Sequence, residues 1–265
     1  MHSTAFQTVV ERLTRDQTPR VWSLLISVFG DLAQDQGARI SGSLLRHITE
    51  QIGIKPEAMR VAIHRLRKDG WIDSERHGRT SVYFLTKWGR AQSASASPRI
   101  YTTEQAAEQA WFVMSNPGQP AQTTDTTGVW ISSNVLVTSD LPDISQVFVA
   151  PLKAETALPH WMTGKICDLS LIRMSGDFAS ALRDISPYLD ASSTFSTLEI
   201  TVMRVLLVHS WRRIVLKAPV LPDHIFPESW QGTYCRNTAT ALLARYPKRS
   251  LPELEAAVTT KDLNI

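Results

Sequence analysis

The sequence predicts an α+β protein in three parts: an N-terminal winged helix-turn-helix, a small ferredoxin-like α+β middle domain and a C-terminal helical domain. Residues 41–86 give the strongest signal, because they read as helix, tight turn, helix and two short strands around a basic loop. Residues 111–152 contain several strand-like runs, and the chain after them is mostly helical in its spacing. The predicted domains are 1–92, 99–192 and 193–265.

The helix-turn-helix signal depends on residues that begin and end helices. Ser41 or Ser43 can cap the first helix, because a serine hydroxyl accepts from a backbone N–H that has no partner in the first turn. Gly53 follows the apolar positions of that helix, where a left-handed residue commonly ends a helix. Pro56 suits the first position of the second helix, and Gly70 is predicted to end it.

The second helix has two chemically different faces. The side predicted to be buried consists of Met59, Ala62, Ile63 and Leu66. The opposite face carries Glu57, Val61, His64 and Lys68, flanked by Arg60 and Arg65. Such a face suits the DNA major groove, because Arg reads guanine edges and aliphatic groups touch thymine methyls.

The loop between the two short strands is basic. Arg76, Arg79 and Thr80 lie in or beside its turn, where they can meet phosphates or the minor groove. A solvated basic turn is the alternative when this loop is considered alone. The predicted DNA-binding residues are therefore Arg60, Val61, His64, Arg65, Lys68, Arg76, Arg79 and Thr80.

Flanking segments complete the predicted organisation. Residues 19–34 are strongly apolar and are expected to form a helix beneath the helix-turn-helix, and residues 1–18 a further helix. The Ala- and Ser-rich residues 87–99 read as the end of the first domain. A short helix is expected near 103–110.

Charge is concentrated in the segment with the motif. Residues 1–90 have 14 Lys and Arg against 9 Asp and Glu, whereas residues 91–265 have 14 against 16. This asymmetry is the electrostatic footprint expected of a protein that meets phosphates.

Composition and spacing argue against several other classes. Cys167 and Cys235 lie far apart without His or Cys at ligand spacing, which argues for a reducing compartment and against a metal site. We expect no cofactor. The N-terminus has no apolar core of signal-peptide length and no stretch is long enough to span a membrane, so the expected location is the cytoplasm.

The candidate reactive groups do not form a recognisable catalytic set. His209, Asp223 and His224 lack a third ligand, and Cys167 has no nearby His, so the chain is not expected to be an enzyme. Arg204, Arg212 and Arg213 could meet an anionic effector. A solvated helix face or a salt bridge between subunits is the favoured interpretation of these arginines.

Two regions resemble a known family. The N-terminal run LLISVFGDLA with residues 41–86, and the C-terminal SWRRIVLKAPVLPDHIFPESWQG, are similar to the PaaX-type repressors of phenylacetate degradation. The resemblance implies a homodimer on palindromic double-stranded DNA, released by an aromatic acyl-CoA such as phenylacetyl-CoA. It places base and backbone contacts on Arg60, Val61, His64, Arg65 and Arg79.

Two functions from different classes follow. The first is a DNA-binding transcriptional regulator, a repressor by the resemblance, whose effector-binding residues the sequence does not identify. The second uses the winged helix as a protein-interaction module without an operator. The basic surface of the second helix favours the regulator, because a protein-binding winged helix has no need of it.

Overall fold

The protein is α+β, as its sequence predicts. The computed structural model describes residues 4–15, 20–78, 80–104, 107–116, 128–141, 145–189 and 195–263. In these ranges the helices are α1 Thr4–Thr14, α2 Val21–Leu32, α3 Gly42–Gln51, α4 Pro56–Lys68, α5 Lys87–Tyr101, α6 His160–Ile166, α7 Leu169–Leu189, α8 Thr197–Val215, α9 Gly232–Arg245 and α10 Leu251–Leu263. A short 3₁₀ helix covers Asp223–Ile225.

The strands form two antiparallel sheets. They are β1 Ile40–Ser41, β2 Ile72–His77, β3 Thr80–Leu85, β4 Ala110–Ser115, β5 Val129–Ser132, β6 Val135–Thr138 and β7 Val147–Leu152. The first sheet has the order β1-β3-β2, and the second has the order β5-β6-β4-β7.

The chain divides into two compact units. Unit 1 consists of Met1–Tyr101, Ser180–Arg212 and Thr238–Ile265, and unit 2 consists of Thr102–Ala179 and Arg213–Asn237. Residues of the first and third predicted domains thus contribute to the same unit. The division into three domains stays a prediction.

The signals that begin and end α3 and α4 act as the sequence predicts. Ser41 is the residue that caps α3, since its hydroxyl oxygen accepts from the Leu44 backbone N–H at 3.0 Å, whereas Ser43 lies inside the helix. Gly53 and Gly70 have φ angles of 80° and 74°, which an L side chain rarely adopts. Pro56 stands in the first turn of α4.

The Ala- and Ser-rich residues after the first sheet are helical, and the first segment of unit 1 ends just after them at Tyr101, whereas the helix expected near 103–110 is wrong. The Ala- and Ser-rich residues continue as α5 to Tyr101, with the Thr86 hydroxyl accepting from the Gly89 N–H at its start. Alanine is the strongest helix former, which outweighs the serines here. No helix follows near 103–110 in the part of that segment the structure describes, and Ala110 begins β4.

Unit 2 contains the predicted small α+β region, and its antiparallel sheet places the first strand between the third and the fourth, which is the strand order of a ferredoxin-like sheet. Residues 139–146 join β6 to β7, and those described there form no helix. The described residues thus lack the second helix of the β-α-β-β-α-β order, and α6 and α7 follow the sheet, so the ferredoxin-like fold stays a prediction. The core of this unit includes Ala110, Val137 and Leu152 of the sheet and Met162 and Ile166 of α6.

Arg204 contradicts the favoured interpretation of the α8 arginines. Its side chain is buried, and it donates to both carboxylate oxygens of Asp31 in α2. Arg212 donates to the Ser27 hydroxyl at 3.0 Å. A long apolar helix can bury an arginine when a carboxylate satisfies it, so Arg204 is neither a solvated charge nor a surface salt bridge.

Candidate nucleic-acid interface

Helix α4 presents one apolar and one polar face. The four side chains predicted to be buried are buried, namely Met59, Ala62, Ile63 and Leu66. Helix α4 contacts α2, α3 and β2. The side chains opposite its buried ones are exposed, so the helix can offer that face to a partner.

All five predicted site residues of α4 lie on that exposed face. Side chains of Arg60, Val61, His64, Arg65 and Lys68 are exposed. Val61 is 70% exposed, which is unusual for an aliphatic side chain in a globular protein. Cations and an aliphatic group thus lie together on one face of a single helix. This combination fits the edges of base pairs in the major groove.

Arg65 has neighbours that orient it. Its guanidinium carbon lies 4.7 Å from the centre of the Trp22 ring, and its Nε donates to Asp69 at 3.4 Å. Arg60 is less constrained, with its nearest carboxylate oxygen on Glu57 at 3.8 Å. Arg65 is therefore oriented through its Nε and its stacking on Trp22, whereas Arg60 has a looser neighbour and is the more exposed of the two, at 72% against 56%.

The β2–β3 hairpin carries the second group of predicted residues. Its register pairs Ile72 with Leu85 at the base and His77 with Thr80 at the tip. Arg76 and Thr80 are exposed, and the Arg76 Nε donates to the backbone carbonyl of Gly78 at 3.2 Å. Arg79, the other predicted residue, lies outside the described residues.

An arginine that the sequence reading did not single out supports the hairpin. Arg39 precedes β1, and its Nε and Nη2 each donate to Glu75 of β2 at 3.2 Å. Its guanidinium carbon also lies 4.6 Å from the centre of the Phe84 ring. This contact holds the hairpin to the strand that precedes α3, and the 36-residue separation leaves no local signal for it.

The C-terminal helix also reaches this segment within unit 1. Glu255 of α10 accepts from the Ser41 backbone N–H at 2.9 Å and from the Ser41 hydroxyl at 2.7 Å. The sequence gives no sign of this contact, because 214 residues separate the two positions. A carboxylate therefore lies at the N-terminus of α3.

Comparison with protein families identifies the relatives of the chain. A model described as PaaX-like protein matches residues 20–89, and a model described as PaaX-like protein C-terminal domain matches residues 172–255. The chain belongs to the PaaX family. The first match contains α2 and the whole of the helix–hairpin segment, and the second contains α8 and α9.

A curated relative agrees with this membership. The transcriptional repressor PaaX of Escherichia coli strain K12 is 28% identical over 269 residues, covering 90% of this chain and 83% of the relative. Among solved structures, the uncharacterized protein Rv0674 from Mycobacterium tuberculosis is similar over 88% of this chain and 97% of that chain. It has 18% sequence identity and a TM-score of 0.46.

The other candidate groups of this PaaX-family chain are bound by ordinary structural contacts. His209 is buried, with its Nδ1 3.0 Å from the Ser27 hydroxyl. Asp223 accepts from Arg236 at 2.7 Å, and His224 lies with its Nε2 3.2 Å from the Leu152 carbonyl oxygen. Among the described residues, no group of three His, Cys, Asp or Glu side chains is placed to hold a metal ion.

Cys167 is a protonated thiol at neutral pH. Burial, with a smaller contribution from the neighbouring Asp168, raises the pKa of the Cys167 thiol to about 12. Because the thiolate is the nucleophilic form, this position does not suit thiol chemistry.

Unit 2 contains an open groove of about 1210 Å³. Three segments line it: 156–164, 167–172 and 224–229. Leu158, Ile225 and Phe226 supply apolar walls, and Lys217 donates to Asp168 at its lining. A groove of this size can hold a small organic ligand. In the ranges that the structure describes, no helix has the length and hydropathy needed to cross a membrane.

Proposed function

We propose that this PaaX-family chain is a transcriptional repressor that binds operator DNA through a winged helix-turn-helix. In this proposal α4 is the recognition helix in the major groove, and β2–β3 is the wing. The E. coli relative is named a transcriptional repressor, which supports the class of function. The exposed face of α4 is the observation that carries the proposed mode of DNA binding.

The chemistry of that face supports specific reading. Arg60 and Arg65 are suited to the paired acceptors of guanine, and the exposed Val61 is suited to a thymine methyl. His64 and Lys68 add donors on the same side of the helix. A surface that binds only phosphates needs cations and no aliphatic side chain. The position of Val61 among the cations of α4 therefore favours contacts with bases.

The proposed wing makes backbone contacts. Arg76 and Thr80 are exposed at the hairpin tip, and Arg79, which lies between them in the sequence, is outside the described residues. Guanidinium groups bind phosphate oxygens strongly, and they also enter narrow minor grooves. We therefore assign positioning to the wing and sequence reading to α4.

A homodimer and an acyl-CoA-type effector complete the proposal. Two copies of one recognition helix would read a palindrome whose half-sites lie about one helical turn, or a multiple of it, apart. The groove of unit 2 is our candidate for the effector's acyl group, with apolar walls at Leu158 and Phe226. Lys217 contacts the groove lining through Asp168 and Ser170, so an anionic ligand would compete with Asp168 for this cation.

Replacement of Arg65 tests the proposal directly. We expect Arg65→Ala to weaken operator binding about tenfold to a hundredfold, because a bidentate Arg–guanine contact contributes about 1–3 kcal/mol. Fluorescence anisotropy with the DNA upstream of the chain's own gene measures the change. Arg173→Ala is the matched control, since Arg173 is an exposed arginine on a helix of unit 2.

Three further results decide between the alternatives. Unchanged operator affinity in Arg65→Ala, with the melting temperature also unchanged, contradicts the assignment of α4. Absence of any duplex binding by the wild type favours the protein-interaction module instead. Titration of the complex with a panel of CoA thioesters tests the effector, since only the proposed ligand class should release the DNA.

A further inference from the structure

A carboxylate of helix α10 lies at the N-terminus of α3. The two oxygens of Glu255 accept from the backbone N–H and the hydroxyl of Ser41, at 2.9 and 2.7 Å. The same hydroxyl oxygen accepts from the Leu44 N–H at 3.0 Å, so one chain of hydrogen bonds joins the carboxylate to the first turn. α10 is held in place by Leu254 and Val258, which are 0% and 2% exposed.

This arrangement shows that the N-terminus of α3 binds an oxyanion. Backbone N–H groups without helical partners and the positive end of the helix dipole both favour negative charge there. A phosphate oxygen has the same requirements as the Glu255 carboxylate. Proteins commonly use such N-termini as phosphate sites.

The proposed DNA complex would bring phosphates to the same place. In a helix-turn-helix protein the first helix crosses the DNA backbone while the second enters the major groove. Here α3 is that first helix, and β1 joins Ser41 to the hairpin through its pairing with Val82 of β3. A phosphate and a carboxylate cannot both accept from one N–H without strong repulsion.

We propose that Ser41, at the N-terminus of α3, is a binding position for a DNA backbone phosphate, and that Glu255 is an internal anion that competes for it. This inference rests on the proposed function. The Glu255 side chain has to leave Ser41 when DNA binds, and it lowers the affinity of the free protein for DNA. Through Glu255, helix α10 thereby limits the affinity of the N-terminal helix-turn-helix for DNA.

The decisive variant removes the charge and keeps the shape of the side chain. Glu255→Gln is expected to bind a mixed-sequence duplex about three- to tenfold more tightly than the wild type. A gain of this size matches the stabilisation that one anion contributes at a helix N-terminus. The slope of log affinity against log salt should steepen by about one, because one opposing charge is gone. A mixed-sequence duplex suffices, because phosphate contacts do not depend on sequence.

Glu253→Gln is the matched control. Glu253 lies on the same helix two residues earlier, is partly exposed and faces Arg249 at 3.8 Å. It carries the same charge without contacting α3. We expect its affinity and salt slope to stay close to those of the wild type.

A second variant tests the phosphate position itself. Ser41→Gly removes the hydroxyl while glycine remains an acceptable N-cap. If Ser41 binds phosphate through its hydroxyl as well as its N–H, the gain from Glu255→Gln becomes smaller in the Ser41→Gly background, where only the N–H remains. A gain of full size in that background overturns the role of the Ser41 hydroxyl.

The outcomes separate this inference from the proposed function. If Glu255→Gln matches Glu253→Gln, or binds more weakly than the wild type, the inference is wrong. When Arg65→Ala still loses operator binding in that case, the proposed function stands without it. If the wild type binds no duplex at low salt, both are wrong.

Discussion

Arg204 and Asp31 form a buried bidentate ion pair between positions 173 residues apart. The Arg204 Nε and Nη2 donate to the two Asp31 oxygens at 2.8 and 2.9 Å, and the side chains are 8% and 1% exposed. The Arg204 Nη1 also donates to the carbonyl oxygens of Leu243 and Tyr246. One guanidinium thus joins α2 to the end of α9.

Removal of one partner of this pair should be strongly destabilising. Arg204→Met is expected to lower the free energy of unfolding by about 3–5 kcal/mol, because it leaves the Asp31 carboxylate buried and uncompensated. Chemical denaturation measures the loss. The additional change Asp31→Asn should recover part of it, because it removes the uncompensated charge.

An exposed pair in the same unit provides the control. Arg12 donates to Asp184 at 3.3 Å, with both side chains about a third exposed (32% and 39%). Its replacement by Ala should change stability by less than about 1 kcal/mol. Equal effects of Arg204→Met and Arg12→Ala would contradict the importance assigned to burial.

The proposed base and phosphate contacts predict different mutant behaviour. Arg60→Ala should relax the base preference at one operator position and weaken specific binding by about 1–3 kcal/mol. Arg76→Ala should weaken binding to all sequences alike and reduce the salt slope by about one. Anisotropy titrations with single-base operator variants at several salt concentrations measure both. Identical profiles for the two variants would count against the separate roles of α4 and the hairpin.

Two helical glycines predict opposite effects of the same substitution. At Gly30 in α2, an added Cβ would lie 3.7 Å from the Ser93 hydroxyl oxygen, an ordinary contact. Gly30→Ala should therefore raise stability by about 0.5–1 kcal/mol, the difference in helix propensity. Thermal unfolding followed by circular dichroism measures the change.

Gly89 is the contrasting position. There an added Cβ would collide with the backbone carbonyl of Trp71, which cannot move aside as a side-chain end can. Gly89→Ala should destabilise the protein by about 1–3 kcal/mol. A stabilising effect at Gly89 would show that the approach of α5 to the start of the hairpin is looser than described.

Asp168 should make stability depend on pH. The Leu171 backbone N–H donates to its carboxylate at 2.6 Å, and this bond, helped by Lys217, holds the pKa of Asp168 below its usual value. A depressed folded-state pKa contributes stability above the unfolded pKa. That contribution is lost as pH falls below about 4 towards the folded pKa.

Two substitutions separate the charge of Asp168 from its capping role. Asp168→Ala should cost about 1 kcal/mol at neutral pH through loss of the cap of α7, whereas Asp168→Asn keeps a capping oxygen. The wild type and Asp168→Asn should converge in stability at acidic pH. Denaturation curves at neutral pH and at pH 3 check both, and a gap that does not narrow between the two pH values would contradict the assignment.

Local signals in the sequence predicted local structure well. Ser41, Gly53, Pro56 and Gly70 mark the ends of α3 and α4, because caps and left-handed residues depend only on near neighbours. The buried side of α4 was also predictable from its 3.6-residue period. The exposure of its opposite face agrees with the candidate site, although contact with DNA stays a prediction.

Contacts between distant residues could not be predicted. The arginines of α8 read as surface charges, because a sequence does not show that Asp31 satisfies Arg204. The helix α5 was missed since Ser and Pro98 suggested a break, yet the Ser97 hydroxyl donates to the Ser93 carbonyl within the helix. Glu255 is a third example, since only folding brings it to Ser41.

The three-segment composition of unit 1 has a consequence for synthesis. Its first segment leaves the ribosome long before Ser180–Arg212 and Thr238–Ile265, which supply Arg204 and Glu255. Helices α3 and α4, which we propose to read DNA, therefore lack these contacts until Thr238–Ile265 has been synthesised, and Asp31 has the Tyr101 hydroxyl but not Arg204 as a partner until Ser180–Arg212 has been made. A nascent or prematurely terminated chain consequently lacks the contacts that finish this unit, and a fragment that ends near residue 92 should be degraded far faster than the full protein.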